Sequence, residues 1–529
     1  MKSLNKYIGI ALMAGALTVT TSCSDSFLQE DSLTESSSTT FWKTSNDAMM
    51  ALTACYDGLQ STQLYDCGQW NLGPLNMDCI SDNGGHFNWS GWMEGYDIAN
   101  GTQSPSSWAV GSYWSACYEV IKRCNSLIAN IDRVDIKDSE KAQYKAEALT
   151  LRALMYTNLT MTYNDVPYLT EPLTLENAEC ASTKRSEIVT SEMQNLKNCA
   201  DNLPVTSDLG RITKGACLSI LGRMALYNEK WDDAISAYQQ VEKLGYSLAS
   251  DYGKLFTTAG QTSSEIIFSV RFEGPGLKEG CQFNAHWNTP LEAMNGTMNL
   301  ADDYYCTDGK KVADTNYGVI TNGKLDVTQP NADHWKNRDP RMYATLFVPG
   351  MKWNGKGGSG AWYGGAAASL STVYVMKYFD PTDTGNSWDN GQDFYVVRYA
   401  EVLLSLAEAM VQKGGYDEST VLALVDQVRT RAGMPKVEEV EGTGLTQTAL
   451  LDIIKHERRV ELAFEGLRLF DIYRWKDLPN AVARVENERT TYNLAYEKRI
   501  YNGDRDYVWP IPTSELDSNS KLEQNALWK

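Results

Sequence analysis

Thr213-Lys214-Gly215-Ala216-Cys217-Leu218-Ser219-Ile220-Leu221-Gly222-Arg223-Met224-Ala225-Leu226-Tyr227 runs into Asn228-Glu229-Lys230 and then into Trp231-Asp232-Asp233-Ala234-Ile235-Ser236-Ala237-Tyr238. The first part is rich in Ala, Leu and Gly and reads as a helix, the middle as a short turn, and Trp231 opens a second helix. The hairpin is flanked by a further helical pattern from about Ser186, so this stretch predicts three helices up to Gly245. Two other stretches carry the same signals. From Trp108 to Tyr163, apolar residues recur at three- and four-residue steps through Tyr113, Trp114, Cys117, Val120, Ile121, Cys124, Leu127, Ile128 and Ile131. Asp138 starts the next helix, and Asn164-Asp165-Val166-Pro167 stops it. From Tyr399 to Trp475, one helix ends at Gly414-Gly415, a second runs to Arg431-Ala432-Gly433, and a third begins near Thr446.

A small-residue helix, a turn and a helix of the form x-W-x-x-A-x-x-x-Y resemble a tetratricopeptide hairpin. Such hairpins stack into a scaffold and expose little chemistry of their own. The expected fold class is therefore mostly α, with the helical scaffold mainly at 108–250 and 398–475. Between the helical stretches lie two long irregular regions, 60–107 and 274–393, rich in Gly, Asn, Asp and aromatics. Short strand-like pieces such as Val373-Tyr374-Val375-Met376-Lys377-Tyr378 interrupt the second. Loops this long are usually functional, and the two read as a loop-rich lobe laid on the scaffold.

The chain has 529 residues and a net charge of −19. A body this acidic is a poor partner for nucleic acid, which needs Lys and Arg to displace counterions. The same acidity disfavours sulfated or uronic-acid glycans through like-charge repulsion. The first residues read as an address. Lys2 and Lys6 precede an apolar run from Tyr7 to Val19 that is too short to span a bilayer but suits a signal peptide. The run ends in Thr20-Thr21-Ser22-Cys23, which resembles a bacterial lipoprotein box, with Thr20 where Leu is usual. On this reading 1–22 is a lipoprotein signal peptide, and Cys23 carries acyl chains, palmitate among them, as a membrane anchor. The alternative is an ordinary cleaved signal with an incidental cysteine. Residues 23–40, rich in Ser, Thr, Asp and Glu, form a flexible tether, and the body runs from 41 to 529. The Ser24-Asp25 step is similar to the surface-export signals of Bacteroidetes lipoproteins.

Ten further cysteines show no CxxC pair and no zinc-finger spacing. Cys117 and Cys124 lie about two turns apart on one helix face, too far for a disulfide. Cys55, Cys199 and Cys217 read as small core residues, although pairing among Cys55, Cys67 and Cys79 stays open. The four histidines, His86, His286, His334 and His456, form no HExxH or paired cluster. Gly355-Lys356-Gly357-Gly358-Ser359-Gly360 lacks Walker spacing and reads as a loop. No cofactor is expected, and a structural Ca²⁺ stays open.

Glu457, Glu461 and Glu465 share one helix face, but no Glu-x-x-His accompanies them and one helix cannot supply carboxyls facing across a cleft. Arg458, Arg459, Arg468 and Arg474 alternate with these acids in an apolar run, the pattern of a partly buried structural ion network. The tryptophans carry more information. Eleven of the fifteen lie in or near the irregular regions. Sugar rings present flat C–H faces that an aromatic ring can cover while polar neighbours bond the hydroxyls. Asp82-Asn83-Gly84-Gly85-His86-Phe87-Asn88-Trp89-Ser90-Gly91-Trp92 has that mixture. Asp82, Asn83, Trp89 and Trp92 are thus candidate ligand contacts, although Asp-Asn-Gly is also an ordinary turn and a single Trp can equally be core.

Seven blocks in order resemble the SusD/RagB family of Bacteroidetes outer-membrane lipoproteins: Cys23-Ser24-Asp25-Ser26-Phe27-Leu28, Ala146–Tyr156 with Val166-Pro167, Gly210–Ala216, Arg338-Asp339-Pro340-Arg341, Arg398–Ala409, Glu457–Trp475, and Trp509-Pro510-Ile511-Pro512 with Gln524-Asn525. The resemblance implies a scaffold of four tetratricopeptide-like helix pairs with an irregular ligand-binding lobe. It further implies a surface position as the lid of a TonB-dependent outer-membrane transporter, capture of oligosaccharides, or of peptides in some members, and no enzymatic activity. In that family the early region supplies one wall of the glycan site and mid-chain aromatics another, which makes Trp287, Tyr304, Trp353, Trp362 and Tyr363 candidates here. Trp475 and Trp509 fall inside family motifs and are expected to be structural. The rival readings are a peptide- or glycopeptide-binding member, a surface glycoside hydrolase, and a purely structural partner of the transporter.

Overall fold

The hairpin at 213–238 forms as helices Lys214–Tyr227 and Trp231–Val241, packed against each other in a computed structural model. The structure describes residues 41–67, 71–86, 93–283, 294–313, 316–321, 324–349, 351–353, 356–357, 373–380, 388–494 and 497–529. The signal peptide, Cys23 and the tether fall outside these. Thr213 caps the first helix, its hydroxyl accepting the Ala216 N–H at 3.2 Å. Glycine sets how closely the two helices approach. A Cβ at Gly222 would stand 2.6 Å from the ring of Tyr238, a side chain only 1% exposed. Gly222→Val is therefore expected to destabilise the fold by about 1–3 kcal/mol, because the Tyr238 ring has no room to retreat. A urea titration reads this as a lowered midpoint, and an unchanged midpoint would mean that the ring can move aside.

The scaffold repeats this hairpin logic. Helices Ser45–Asp57, Trp108–Asn130, Asp138–Thr162, Arg185–Cys199, Lys214–Tyr227 and Trp231–Val241 follow in chain order, each packed on the next. The chain then leaves the scaffold at residue 242 and returns at 398. On return, Tyr399–Lys413 packs on Trp231–Val241, so the helical stack continues across the excursion. Glu418–Arg431 and Gln447–Leu462 complete it against Tyr399–Lys413. Ion pairs tie the helices to one another and to the turn before Lys214. Glu147 takes Arg211 at 2.8 Å, Arg152 meets Glu192 at 3.1 Å, and Arg223 meets Glu401 at 2.6 Å. Such pairs add little net stability against hydrophobic isosteres, but losing one partner strands the other.

The excursion and residues 60–107 build the second lobe. A four-stranded antiparallel sheet joins the two, taking one strand from 60–107 and three from the excursion, in the order Gly84–His86, Met294–Gly296, Val373–Val375 and Leu346–Phe347. A two-stranded ribbon of Ile266–Val270 and Phe394–Arg398 carries the chain straight into the Tyr399 helix. The early irregular region is more ordered than its composition predicts. It holds the short helices Pro74–Ile80 and Tyr96–Ala99, and the first is buried at every residue. A helix from Leu478 to Thr491 also follows the last predicted one. Its buried positions are only Ala481, Val485 and Glu488, too sparse to register as an apolar stripe. Among the described residues all ten cysteines are free thiols, and Cys55, Cys117, Cys124, Cys199 and Cys217 are buried as small packing groups. No described helix is long and apolar enough to cross a membrane.

The carboxylates of Glu457, Glu461 and Glu465 are buried in an ion network, with partners other than the neighbouring arginines in sequence. Glu461 is held by Arg341 at 2.9 Å, by Arg398 at 2.6 Å and by Arg431. Glu465 takes Arg398 at 2.7 Å and the ammonium of Lys377. Glu457 takes Arg341 and Arg429. Burial alone would raise the Glu461 carboxyl, but the surrounding arginines hold it far below the carboxylate range. Burial pushes Lys377 down to about 8 in spite of its carboxylate partner.

Candidate functional site

The candidate residues fall on segments that the four-stranded sheet gathers. The chain leaves the first strand at His86 toward Trp89 and Trp92, and it comes into the second at Met294 from the segment containing Trp287. His86 and Met294 are paired, so these two segments are rooted side by side. Leu346–Phe347 leads out, and Val373 leads back in, at the opposite end, beside Gly296. Trp353, Trp362 and Tyr363 belong to the stretch between them, and Trp353 lies in the strand Lys352–Trp353, paired with Lys356–Gly357. Three-residue strands are about 10 Å long, so the two sets of roots are close together. Trp89, Trp92, Trp287, Trp362 and Tyr363 themselves lie outside the described residues.

What the structure does describe is how firmly the root before Trp89 is held. The turn from Cys79 to Gly84 is gripped by Arg499, whose guanidinium donates to the carbonyls of Ile80 at 2.7 Å, Ser81 at 2.9 Å, Cys79 at 2.7 Å and Gly84 at 2.9 Å. Glu497 neutralises it at 2.6 Å. Asp82 points inward and has no exposed surface. Arg468 reaches its carboxylate at 2.8 and 3.0 Å, Arg484 at 2.7 Å and Arg459 at 3.3 Å. Burial works to raise this carboxyl, and the three guanidinium groups outweigh it and hold the group well below the usual carboxylate range. Asn83 is equally internal: its Oδ1 accepts from Arg459 at 3.0 Å and its Nδ2 donates to Asp78 at 3.2 Å. Thr297, at the end of the neighbouring strand, donates to the carbonyl oxygen of Asp82 from its hydroxyl and to that of Asn83 from its N–H.

These positions correct three of the expected contacts. Asp82 and Asn83 do not face a ligand, because their polar atoms are spent on the arginines and on Asp78. Tyr304 is also fully buried, its hydroxyl donating to the Val460 carbonyl at 3.0 Å. All three are internal supports. Trp509 is internal too, its indole N–H donating to the Tyr473 hydroxyl at 3.2 Å. Trp475, in contrast, is only partly buried. The clamp residues Arg484, Glu497 and Arg499 carried no signal in the sequence, since each acts on a turn about 400 residues away. Among the described residues no group of three or more His, Cys, Asp or Glu side chains is placed to hold a metal ion.

Comparisons with known proteins cover nearly the whole chain. A family model described as the SusD family matches residues 257–528. A second, described as starch-binding associating with outer membrane, matches residues 26–226. The SusD-like protein P25 of Formosa agariphila is 25% identical, over 95% of this chain and 95% of that protein. A SusD-like carbohydrate binding protein of Bacteroides fragilis has 26% identity and a TM-score of 0.78, over 92% of this chain and 100% of that one. A laminarin binding SusD-like protein has 25% identity and a TM-score of 0.65, over 92% of this chain and 99% of its own.

Proposed function

The chain belongs to the SusD family, and from that premise we propose that it is a surface lipoprotein that captures oligosaccharides and passes them to a TonB-dependent outer-membrane transporter, without catalysing a reaction on them. The observation that carries this reading is the clamped sheet, which roots the segments of Trp89, Trp92 and Trp287 side by side. Rigid roots let aromatic side chains cover a sugar face at low entropic cost. Likeness along the full chain to a carbohydrate binding protein supports the same reading. The anchor is the acylated Cys23, and residues 24–40 let the body reach away from the membrane. The acids that could suggest hydrolysis, Glu457, Glu461 and Glu465, are locked in ion pairs away from solvent.

Affinity electrophoresis of the soluble form, beginning after Cys23, against a panel of neutral polysaccharides tests this, with product analysis on the same samples. Retardation without cleavage is expected. Trp89→Ala and Trp92→Ala together are expected to weaken it at least about tenfold, since each removes an aromatic platform. Retardation unchanged in the double variant would remove these two residues from the site. Binding of peptides in place of every glycan would replace the saccharide ligand with a peptide.

A further inference from the structure

A cavity of about 600 Å³ opens on the helical scaffold, away from the sheet that roots the tryptophan segments. Its walls come from the turn at Asn228, the end of Asp138–Thr162, and the chain from Tyr473 to Lys476. This volume is within the ordinary range for ligand sites. In a chain of net charge −19, its lining is cationic: Arg185, Lys455, Arg474 and Lys476 face it, and Glu229, exposed at the turn, is the one carboxylate among the described lining residues.

Three of the four charges there are not spent on carboxylates among the described residues. Arg474 is neutralised by Glu408 at 2.7 Å and Asp471 at 2.8 Å. Arg185 is different. Its guanidinium donates to Asn228 Oδ1 at 2.8 Å, to the Tyr227 carbonyl at 3.1 Å and to the sulfur of Met161 at 3.0 Å, and to no carboxylate among the described residues. Burial lowers it to about 10, against the pull of Asp165 and Glu229. Among the described residues Lys455 and Lys476 form no ion pair. Each lies over an aromatic ring, Lys455 at 5.2 Å from the centre of Trp475 and Lys476 at 4.5 Å from that of Tyr507. Trp475 is fixed in orientation by its indole N–H, which donates to Glu408 at 2.8 Å. Trp231 also lines the cavity. Three unspent cations beside fixed aromatic rings match a ligand that combines a ring face with a carboxylate.

We propose that this cavity is a second saccharide site, selective for sugars that carry a carboxylate, with Arg185, Lys455 and Lys476 binding the anion and Trp231 and Trp475 covering the ring. The proposal rests on the reading of the chain as a glycan-capturing protein. It also reverses, locally, the expectation from net charge that acidic glycans are repelled. Screening at physiological salt confines exposed charges to about 8 Å, so the cavity's own cations outweigh the distant surface acids.

Short oligogalacturonates and neutral laminarin oligosaccharides, titrated calorimetrically into the soluble form, test it. Wild type is expected to bind the oligogalacturonate. The double variant Lys455→Gln/Lys476→Gln is expected to bind it at least about tenfold more weakly and with a shallower salt dependence, while any binding of the neutral oligosaccharide stays unchanged. No binding of oligogalacturonate by wild type, or equal binding by the double variant, would overturn the proposal. Binding of a polyglutamate peptide through Lys455 and Lys476, with no binding of the uronate, would overturn it in favour of an acidic protein segment as occupant. Failure of the glycan-capture reading looks different: no neutral glycan would be bound by the wild type, whatever the oligogalacturonate does.

Discussion

Arg398→Met is expected to cost the fold about 3–5 kcal/mol, a large share of the ~5–15 kcal/mol that holds a typical domain together. One guanidinium serves three carboxylates, those of Glu265 at 2.7 Å, Glu461 at 2.6 Å and Glu465 at 2.7 Å, and it is 1% exposed. Without it Glu465 keeps only Lys377, and Glu461 shares Arg341 and Arg431 with their other partners. The pH dependence should change with it. Glu461 and Glu465 are both held below their ordinary range in the folded chain, where burial is opposed by Arg398 and its neighbours. A carboxylate depressed on folding contributes stability that is present above its unfolded value of about 4.3 and lost as pH falls. The variant removes part of that depression, so its acid transition should begin at a higher pH than that of the parent. Thermal melts between neutral and acid pH check both effects. A midpoint at neutral pH within experimental error of wild type would show that the remaining cations repack to replace Arg398.

Asp82→Ala is the second large effect. Its carboxylate is the common counter-ion of Arg459, Arg468 and Arg484; without it Arg459 keeps Asp303 and Arg484 keeps Asp477, but the buried Arg468 has no other ion pair among the described residues, beneath the turn that leads to Trp89. An uncompensated buried charge of this kind costs about 3–5 kcal/mol. Because Asp82 is a support and not a contact, stability and glycan retention should fall together. Asp82→Asn, which keeps the shape and an acceptor oxygen, should recover part of both. Retention lost at undiminished stability would show that Asp82 touches the ligand after all.

The parts of this molecule that were legible in its sequence are those with fixed local spacing. The hairpin at 213–238 depends on Gly222 meeting Tyr238, and on Ala234 and Ala237 lying inside, all within one short window. The motif blocks are equally legible because their charges are buried. Glu147, Arg223, Arg341, Arg398, Glu401 and Arg458 sit among the buried residues and each has an ionic partner. What sequence does not carry is the identity of those partners. Arg458 and Arg459 lie between Glu457 and Glu461 on one helix, yet Arg458 turns to Asp471 and Arg459 to Asp82 and Asp303. Asp82-Asn83 has the composition of a ligand-facing turn, and only the arrival of Arg459, Arg468 and Arg484 from the other end of the chain makes it internal. The cationic cavity escaped for the same reason: Arg185, Lys455 and Lys476 lie far apart in the sequence, and only the fold brings them together.

The excursion from 242 to 398 begins and ends at two helices that touch, Trp231–Val241 and Tyr399–Lys413. In engineering terms it is a cassette. The helical stack would close without it, so most of its length is open to exchange between chains that recognise different ligands. Part of its attachment is ionic. Arg341, Lys377 and the Glu265 carboxylate inside the cassette, with Arg398 at its edge, complete the ion network of Glu461 and Glu465 on the stack. A transplanted cassette that keeps those four residues in register brings its own counter-ions to the acceptor, and one that loses them leaves buried carboxylates exposed to acid. Ligand preference can then diverge between these anchors, and in the early segment of Trp89 and Trp92, on a constant frame.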